Sequence, residues 1–323
     1  MRKALIVGID YYPVLGSLSG CVSDAVAMDA LLRRNDDMTV NFNTRLITGP
    51  VDQPVLERRT LKQEVRRLFA DESEIALFYY AGHGFLEDVG GYLITGECEH
   101  GDDGLSVAEL MTLASSSPAR NRVIILDSCH SGFAGNRADS PMAELREGTT
   151  ILTASTSLQN ASERDGHGIF TGLLIDALQG GAANLVGDVT VGSIYAHIDR
   201  ALGPWAQRPV FKANVKNFMS LRRAQPAIPL SDLQSLPTLF PDPNTPLPLD
   251  PAYEPNRNAG EEALPLPDPA KNAIFKQLQR MVANALVVPD GSDSMYYAAM
   301  GNKGCRLTAL GRHYHQLASN GCI

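Results

Sequence analysis

His83 and Cys129 are the residues whose setting points most directly at chemistry. The imidazole lies in Tyr79-Tyr80-Ala81-Gly82-His83-Gly84 and the thiol in Asp127-Ser128-Cys129-His130-Ser131-Gly132, 46 positions further on. A thiol attacks an amide carbonyl well only as the thiolate, so a nucleophilic cysteine needs an imidazole to take its proton and later return it to the leaving amine. Glycines flank both residues, as loops that admit a substrate backbone require. The main-chain N–H groups of Gly84 and Cys129 are candidate donors to a tetrahedral oxyanion, where one such donor contributes about 3 kcal/mol. A structural cysteine packs as a small apolar side chain. The polar Asp-Ser before Cys129 and His-Ser-Gly after it have no use in that reading. His130 adjoins the thiol on the same turn, where neighbouring side chains diverge, and is read as a spectator.

Loops of this kind need a rigid support. Residues 3–9 form a continuous apolar run, repeated at Glu74–Ala81, Arg122–Asp127 and Thr149–Ser155, with weaker runs at Arg45–Thr48 and Pro209–Ala213. Such runs mark strands buried on both faces of a parallel sheet. Between them fall helical patterns at Val22–Arg34, Leu56–Phe69, Val107–Ala114, Phe170–Leu178 and Val191–Leu202. The alternation predicts an α/β fold, a mostly parallel sheet flanked by helices, with functional loops beyond the carboxyl ends of the strands. Both the His83 and the Cys129 motif occupy such ends.

Composition narrows the function classes. With 323 residues, 44% hydrophobic and 20% charged, the chain has the make-up of an ordinary globular protein. Five scattered cysteines lack the dense even spacing of a disulfide framework and fit a reducing, cytoplasmic location. The apolar stretch Ala4–Ile9 is too short for a signal core or a membrane span. A net charge of −8 argues against nucleic acid as a partner, since phosphate binding needs clustered Lys and Arg.

The texture changes after residue 224, because twelve of the 20 prolines lie between Pro226 and Pro269. The expected organisation is a catalytic domain over 1–224, an extended proline-rich connector over 225–269, and a small C-terminal regulatory or sensor unit over 270–323. In that last unit Tyr296 and Tyr297, with Arg306 and Arg312, combine aromatic faces and cations in a way that suits a nucleotide-like ligand, or else form ordinary core and surface. Cys305, His313, His315 and Cys322 match no common zinc spacing, so no metal ligands are assigned.

The two motifs around His83 and Cys129 resemble those of caspase-like cysteine peptidases, most of all metacaspases and their bacterial relatives, over roughly residues 1–215. The resemblance implies a caspase-like fold and hydrolysis of peptide bonds without a required cofactor. The Gln-Ala-Cys signature of animal caspases is absent, and Leu18-Ser19-Gly20-Cys21-Val22-Ser23-Asp24-Ala25 looks like the metacaspase segment that helps line a pocket for a basic side chain. Carried over by motif, Cys21, Asp24 and Asp127 form that pocket, and the partners are protein substrates with exposed Arg or Lys. Asp24 capping a helix and Asp127 bonding loop amides are the plainer alternatives. Ala81 departs from the serine that metacaspases often carry there.

Further expectations follow from the resemblance. Calcium activation would direct attention to Asp102-Asp103, otherwise a solvated acidic turn, although a hard cation needs six or more oxygens. Relatives process themselves after the nucleophile, making Arg137 and Arg146 candidate self-cleavage sites. Arg222-Arg223 is another, read as exposed. The loop with His167 and the segment beginning at Trp205 are expected to border the cleft. Bacterial relatives often act in stress or antiphage responses, triggered by an activating protein or a small nucleotide messenger. The alternative is a non-catalytic or latent signalling module that keeps the fold and binds a ligand or partner.

Overall fold

The expected alternation of strand and helix is realised in full. The computed structural model describes residues 1–51, 53–87, 90–128, 145–154, 163–164, 167–202, 209–256, 258, 261 and 263–323. Two compact units divide them, Met1–Gln225 and Pro226–Ile323.

The first unit runs β1 (Arg2–Ile9), α1 (Cys21–Arg33), β2 (Asn43–Gly49), α2 (Arg58–Ala70) and β3 (Ile75–Ala81). It continues with β4 (Gly84–Glu87), β5 (Gly90–Leu93), β6 (Leu105–Ser106), α3 (Val107–Ser116), β7 (Asn121–Asp127) and β8 (Thr149–Thr153). The remainder is β9 (Glu163–Arg164), β10 (His167–Gly168), α4 (Ile169–Asp176), β11 (Asp188–Thr190), α5 (Val191–Leu202), β12 (Val210–Asn214) and β13 (Ser220–Arg223). Among the described residues the central sheet has six strands in the order β12-β8-β7-β3-β1-β2. All are parallel except β12, which runs antiparallel to β8.

Period-two alternation sends successive side chains to opposite cores. Leu5, Val7, Phe78, Tyr80, Ile124 and Leu126 face the side covered by Leu61, Val65 and Leu68 of α2 and Leu110 of α3. Ala4, Ile6, Tyr79, Ala81, Val123 and Ile125 face Ala25 and Met28 of α1, Phe170 and Leu174 of α4, and Ile194 of α5. Every residue of β3 is buried, which explains its unbroken apolar run. Helix α1 presses directly on β1 at Gly8, where an added Cβ would overlap the Cys21 carbonyl and come within 2.6 Å of the Ala25 Cβ. Glycine there lets the first turn of α1 sit against the sheet.

The sequence offered no warning of the small antiparallel sheet β4-β5-β6 that follows His83, because its strands are two to four residues long and glycine-rich. Short pieces of that kind carry no readable period.

The second unit contains α6 (Leu230–Gln234), α7 (Leu236–Leu239), β14 (Leu247–Pro248), α8 (Pro269–Ala283), β15 (Val287–Asp290), α9 (Met295–Met300), β16 (Gly304–Leu307) and α10 (Ala309–Ser319). The expected connector over 225–269 therefore differs from what is found, since this stretch folds with the C-terminal residues. Strand β14 pairs with β16, which also pairs with β15. Leu233, Leu236, Phe240 and Leu249 are buried. Asp232 pairs with Arg280 at 2.6 Å, and His315 donates through Nε2 to the Phe240 carbonyl at 2.8 Å. Proline excludes long helix and central strand, but it suits helix first turns and edge strands, and that is where Pro237 and Pro248 lie. No described helix is long and apolar enough to cross a membrane.

Candidate active site

His83 stands two residues beyond the end of β3, and two tyrosines hold it. Its main-chain N–H donates to the Tyr12 hydroxyl at 2.9 Å, and the Tyr12 ring packs 4.6 Å from the imidazole. The Tyr80 hydroxyl lies 2.9 Å from the His83 carbonyl oxygen and 2.6 Å from that of Ile94. Burial pushes both phenols up, so they act here as neutral hydrogen-bonding groups. Gly82 leaves room for this arrangement: a Cβ would overlap the Tyr12 hydroxyl and lie 2.7 Å from that of Tyr80. The imidazole Nε2 is 2.8 Å from the Gly16 carbonyl oxygen. A carbonyl only accepts, so the neutral ring carries its proton on Nε2 and presents Nδ1 with a free lone pair. That tautomer suits a base for a thiol.

The second half of the site lies on the face covered by α1 and α4. Alternation along β7 assigns Asp127 to this face, and parallel register sets it beside Ala81. Thr171, in the first turn of α4, donates through Oγ1 to Asp127 Oδ2 at 2.6 Å, and the Tyr79 hydroxyl is 2.7 Å from Thr171 Oγ1. Burial raises the Asp127 carboxyl to about 6; the Thr171 hydroxyl opposes the rise and the nearby negative charge of Asp24 adds to it. Tyr79 is raised well above the usual phenol range, first by burial and then by Asp127 and Asp24, with Cys21 adding a smaller push. Of the three residues predicted to line a pocket, Asp127 is joined to the buried Tyr79 phenol through Thr171, and the charges of Asp24 and Cys21 bear on that phenol.

The capping role open to Asp24 belongs instead to Asp10, just beyond β1. Its Oδ1 accepts from the N–H groups of Cys21 at 2.9 Å and Val22 at 3.3 Å, while Gly20 at the cap position offers no side chain. Asp24 is buried within the first turn of α1.

The Peptidase C14 caspase-domain family model matches residues 1–219. The chain belongs to the caspase-domain family. Metacaspase-1 of Schizosaccharomyces pombe is 29% identical over 150 residues, covering 41% of this chain and 34% of that protein. Metacaspase-1 of Ajellomyces capsulatus is 29% identical over 154 residues, covering 41% of each chain. The chain thus spans about a third to two fifths of the length of the curated relatives it matches. A Geobacter sulfurreducens protein of known crystal structure shares the fold at a TM-score of 0.52 and 17% identity, covering 70% of this chain and all of that one.

In this caspase-domain chain Cys129, the expected nucleophile, lies outside the described residues, as do His130, Arg137 and Trp205. Gly84 opens β4 directly after His83. His167 begins β10, which forms a hairpin with β9.

Among the self-cleavage candidates, Arg146 is engaged: its guanidinium donates to the carbonyls of Ser115 at 2.6 Å and Ser117 at 3.0 Å, at the end of α3. Arg223 lies within β13, paired with Asp188 of β11. Its neighbour Arg222, read as exposed, is buried, donating to the carbonyls of Leu31, Arg34 and Leu178. A cationic head with five donors can satisfy itself largely on carbonyl oxygens, here with the Asp36 carboxylate 3.8 Å away, which sequence texture does not reveal.

Asp103, one of the two acids considered for calcium, uses its carboxylate on the N–H groups of Glu99 and His100. Among the described residues no three His, Cys, Asp or Glu side chains converge as metal ligands. In the second unit, Tyr296 donates to Glu261 at 2.5 Å and packs edge-on to Tyr297. Arg306 pairs with Asp290 at 3.3 Å, and Arg312 donates to the Leu307 carbonyl at 3.2 Å.

Sequence reasoning missed Tyr12, Thr171 and Asp10, together with the Gly16 carbonyl. Only Asp10 left a signal, as a carboxylate ending a buried strand in the same way as Asp127. A main-chain carbonyl leaves none.

Proposed function

We propose that this chain is a cysteine endopeptidase that cleaves after Arg, and less often after Lys, with Cys129 as nucleophile and His83 as its acid and base. In this reading Nδ1 of His83 takes the Cys129 proton, and the thiolate adds to the scissile carbonyl. The main-chain N–H groups of Gly84 and Cys129 stabilise the oxyanion. Collapse to the thioester breaks the C–N bond as the imidazolium protonates the leaving amine, and water activated by the same imidazole then frees the acid. The hydrogen bond from Nε2 to Gly16 keeps the ring in the required tautomer.

What supports the specificity is placement: Asp127, two residues before Cys129, is buried against Thr171 of α4, and Asp24, whose negative charge bears on it, is buried on α1. Two carboxylates in a poorly hydrated site repel each other, and a guanidinium or ammonium group relieves that repulsion. Pro226–Ile323, a compact unit with its own core, is proposed as the regulatory part of a stress or antiphage effector, receiving a partner protein or a nucleotide-derived messenger.

The test uses fluorogenic peptides that differ only in the residue before the scissile bond. Thiol-dependent release after Arg, absent in Cys129→Ala and reduced about 100-fold or more in Asp127→Ala and Asp24→Ala, is expected. Unchanged preference in both aspartate variants would refute the basic pocket. Dependence of turnover on added cell extract would bear on the regulatory unit.

A further inference from the structure

We propose that Thr171 and Tyr79 are positioning residues for substrate selection: the buried chain from the Tyr79 hydroxyl through Thr171 Oγ1 to Asp127 Oδ2 fixes the orientation of the Asp127 carboxyl and keeps it in the ionised form that receives a basic side chain. The inference rests on the reading of Asp24 and Asp127 as a pocket for that side chain.

The direction of the chain follows from counting protons. A threonine hydroxyl has one hydrogen, and at 2.6 Å from a carboxylate oxygen that hydrogen is committed to Asp127. Thr171 Oγ1 can then only accept from Tyr79, whose oxygen is 2.7 Å away. Tyr79 and Thr171 are wholly buried and Asp127 nearly so, which leaves little water to take the place of either bond. Ala81, in register beside Asp127, offers only a methyl group. Thr171 lies in the first turn of α4, and both its hydroxyl and its main-chain amide favour the carboxylate. Opposing them are burial and the charge of Asp24 on α1. Among the described residues Tyr79, from β3, is a further titratable group here, and the charges of Asp24 and Cys21 on α1 bear on it. Two acids that repel each other in a dry site would share a proton or turn apart without such a clamp. The clamp makes the pocket a preformed cation receptor.

Three variants test this in the full-length protein. Thr171→Val keeps the shape and removes the hydroxyl; it is expected to lower kcat/KM on Arg peptides about 10- to 100-fold, chiefly through KM, and to move the acidic limb of the pH profile to higher pH. Thr171→Ser should restore both properties. Tyr79→Phe should produce a smaller change in the same direction. A readout independent of turnover is the carboxyl ¹³C titration of Asp127, whose midpoint should rise in Thr171→Val. Wild-type KM and an unmoved titration in Thr171→Val would overturn the proposal, as would a loss confined to kcat that serine does not restore. Asp127→Asn separates the two levels. Arg preference that survives in Asp127→Asn removes the pocket reading itself; preference that collapses there but persists in Thr171→Val removes only the clamp.

Discussion

Tyr12 sets its ring 4.6 Å from that of His83 and takes that residue's main-chain N–H on its hydroxyl at 2.9 Å, although 71 positions separate them in the chain. One side chain thus controls both the tilt of the imidazole and the path of the loop that carries it. Tyr12→Phe keeps the ring contact and leaves a partly buried amide without its acceptor, at a cost of about 1–3 kcal/mol. The expected result is a loss of about 10-fold or more in kcat with KM on Arg peptides unchanged, read by steady-state kinetics. A KM effect alone would show that the tyrosine acts elsewhere.

Gly82→Ala tests the same support from the other side. Its methyl group would displace the hydroxyls of both Tyr12 and Tyr80. Overpacking of this kind costs about 1–3 kcal/mol. Activity should fall more steeply than thermal stability, since the displaced groups are those that hold His83. Wild-type turnover in a folded Gly82→Ala protein would contradict the role given to the two phenols.

Asp127 makes a prediction about stability against pH. Its carboxyl ionises near 3.8 ordinarily and at about 6 in the fold, so between those values the native state binds more protons than the unfolded chain. Stability contributed by this group therefore falls as pH rises from about 4 to 6, and the penalty of about 3 kcal/mol is complete above that. Asp127→Asn should gain on the wild type across this window, by somewhat less than that figure because the Thr171 bond is weakened. Urea unfolding at pH 4 and pH 7 measures the difference. A variant less stable at pH 7 than at pH 4, relative to wild type, would reverse the sign.

Phe240 probes the proline-rich stretch. It is 1% exposed, and its carbonyl receives the His315 ring. Phe240→Ala should destabilise the second unit by about 3–5 kcal/mol, visible as an earlier unfolding transition. No change would mean that residues 226–269 contribute nothing to that unit's stability.

The sheet was legible in the sequence because its central strands are buried on both faces, so each reads as a continuous apolar run that ends at a change of polarity. That is why His83 and Asp127 read as strand ends from the sequence alone. The grouping of Cys21, Asp24 and Asp127 came from motif resemblance, and only the register of β3 with β7 and the close approach at Gly8 explain it physically. Thr171 was illegible because a threonine in a helical pattern carries no mark of the carboxylate 44 positions earlier that it will meet. The proline-rich stretch was misjudged for a related reason: proline forbids long elements, while the tertiary contacts of Leu233, Leu236 and Phe240 decide whether short ones dock.

The parallel pairing of β7 with β8 has a consequence for the covalent continuity of the chain. Asp127 lies at the carboxyl end of β7, whereas Thr149 begins β8 at the amino end of the parallel strands, in register with Arg122. Main-chain pairing holds Asp127 and Thr149 each in its own place, independently of the other. A chain cut once between Asp127 and Thr149 would leave two polypeptides joined through the pairing of β7 with β8, migrating apart in denaturant and together in native buffer. Integrity of the fold and integrity of the chain are separable between these two strands.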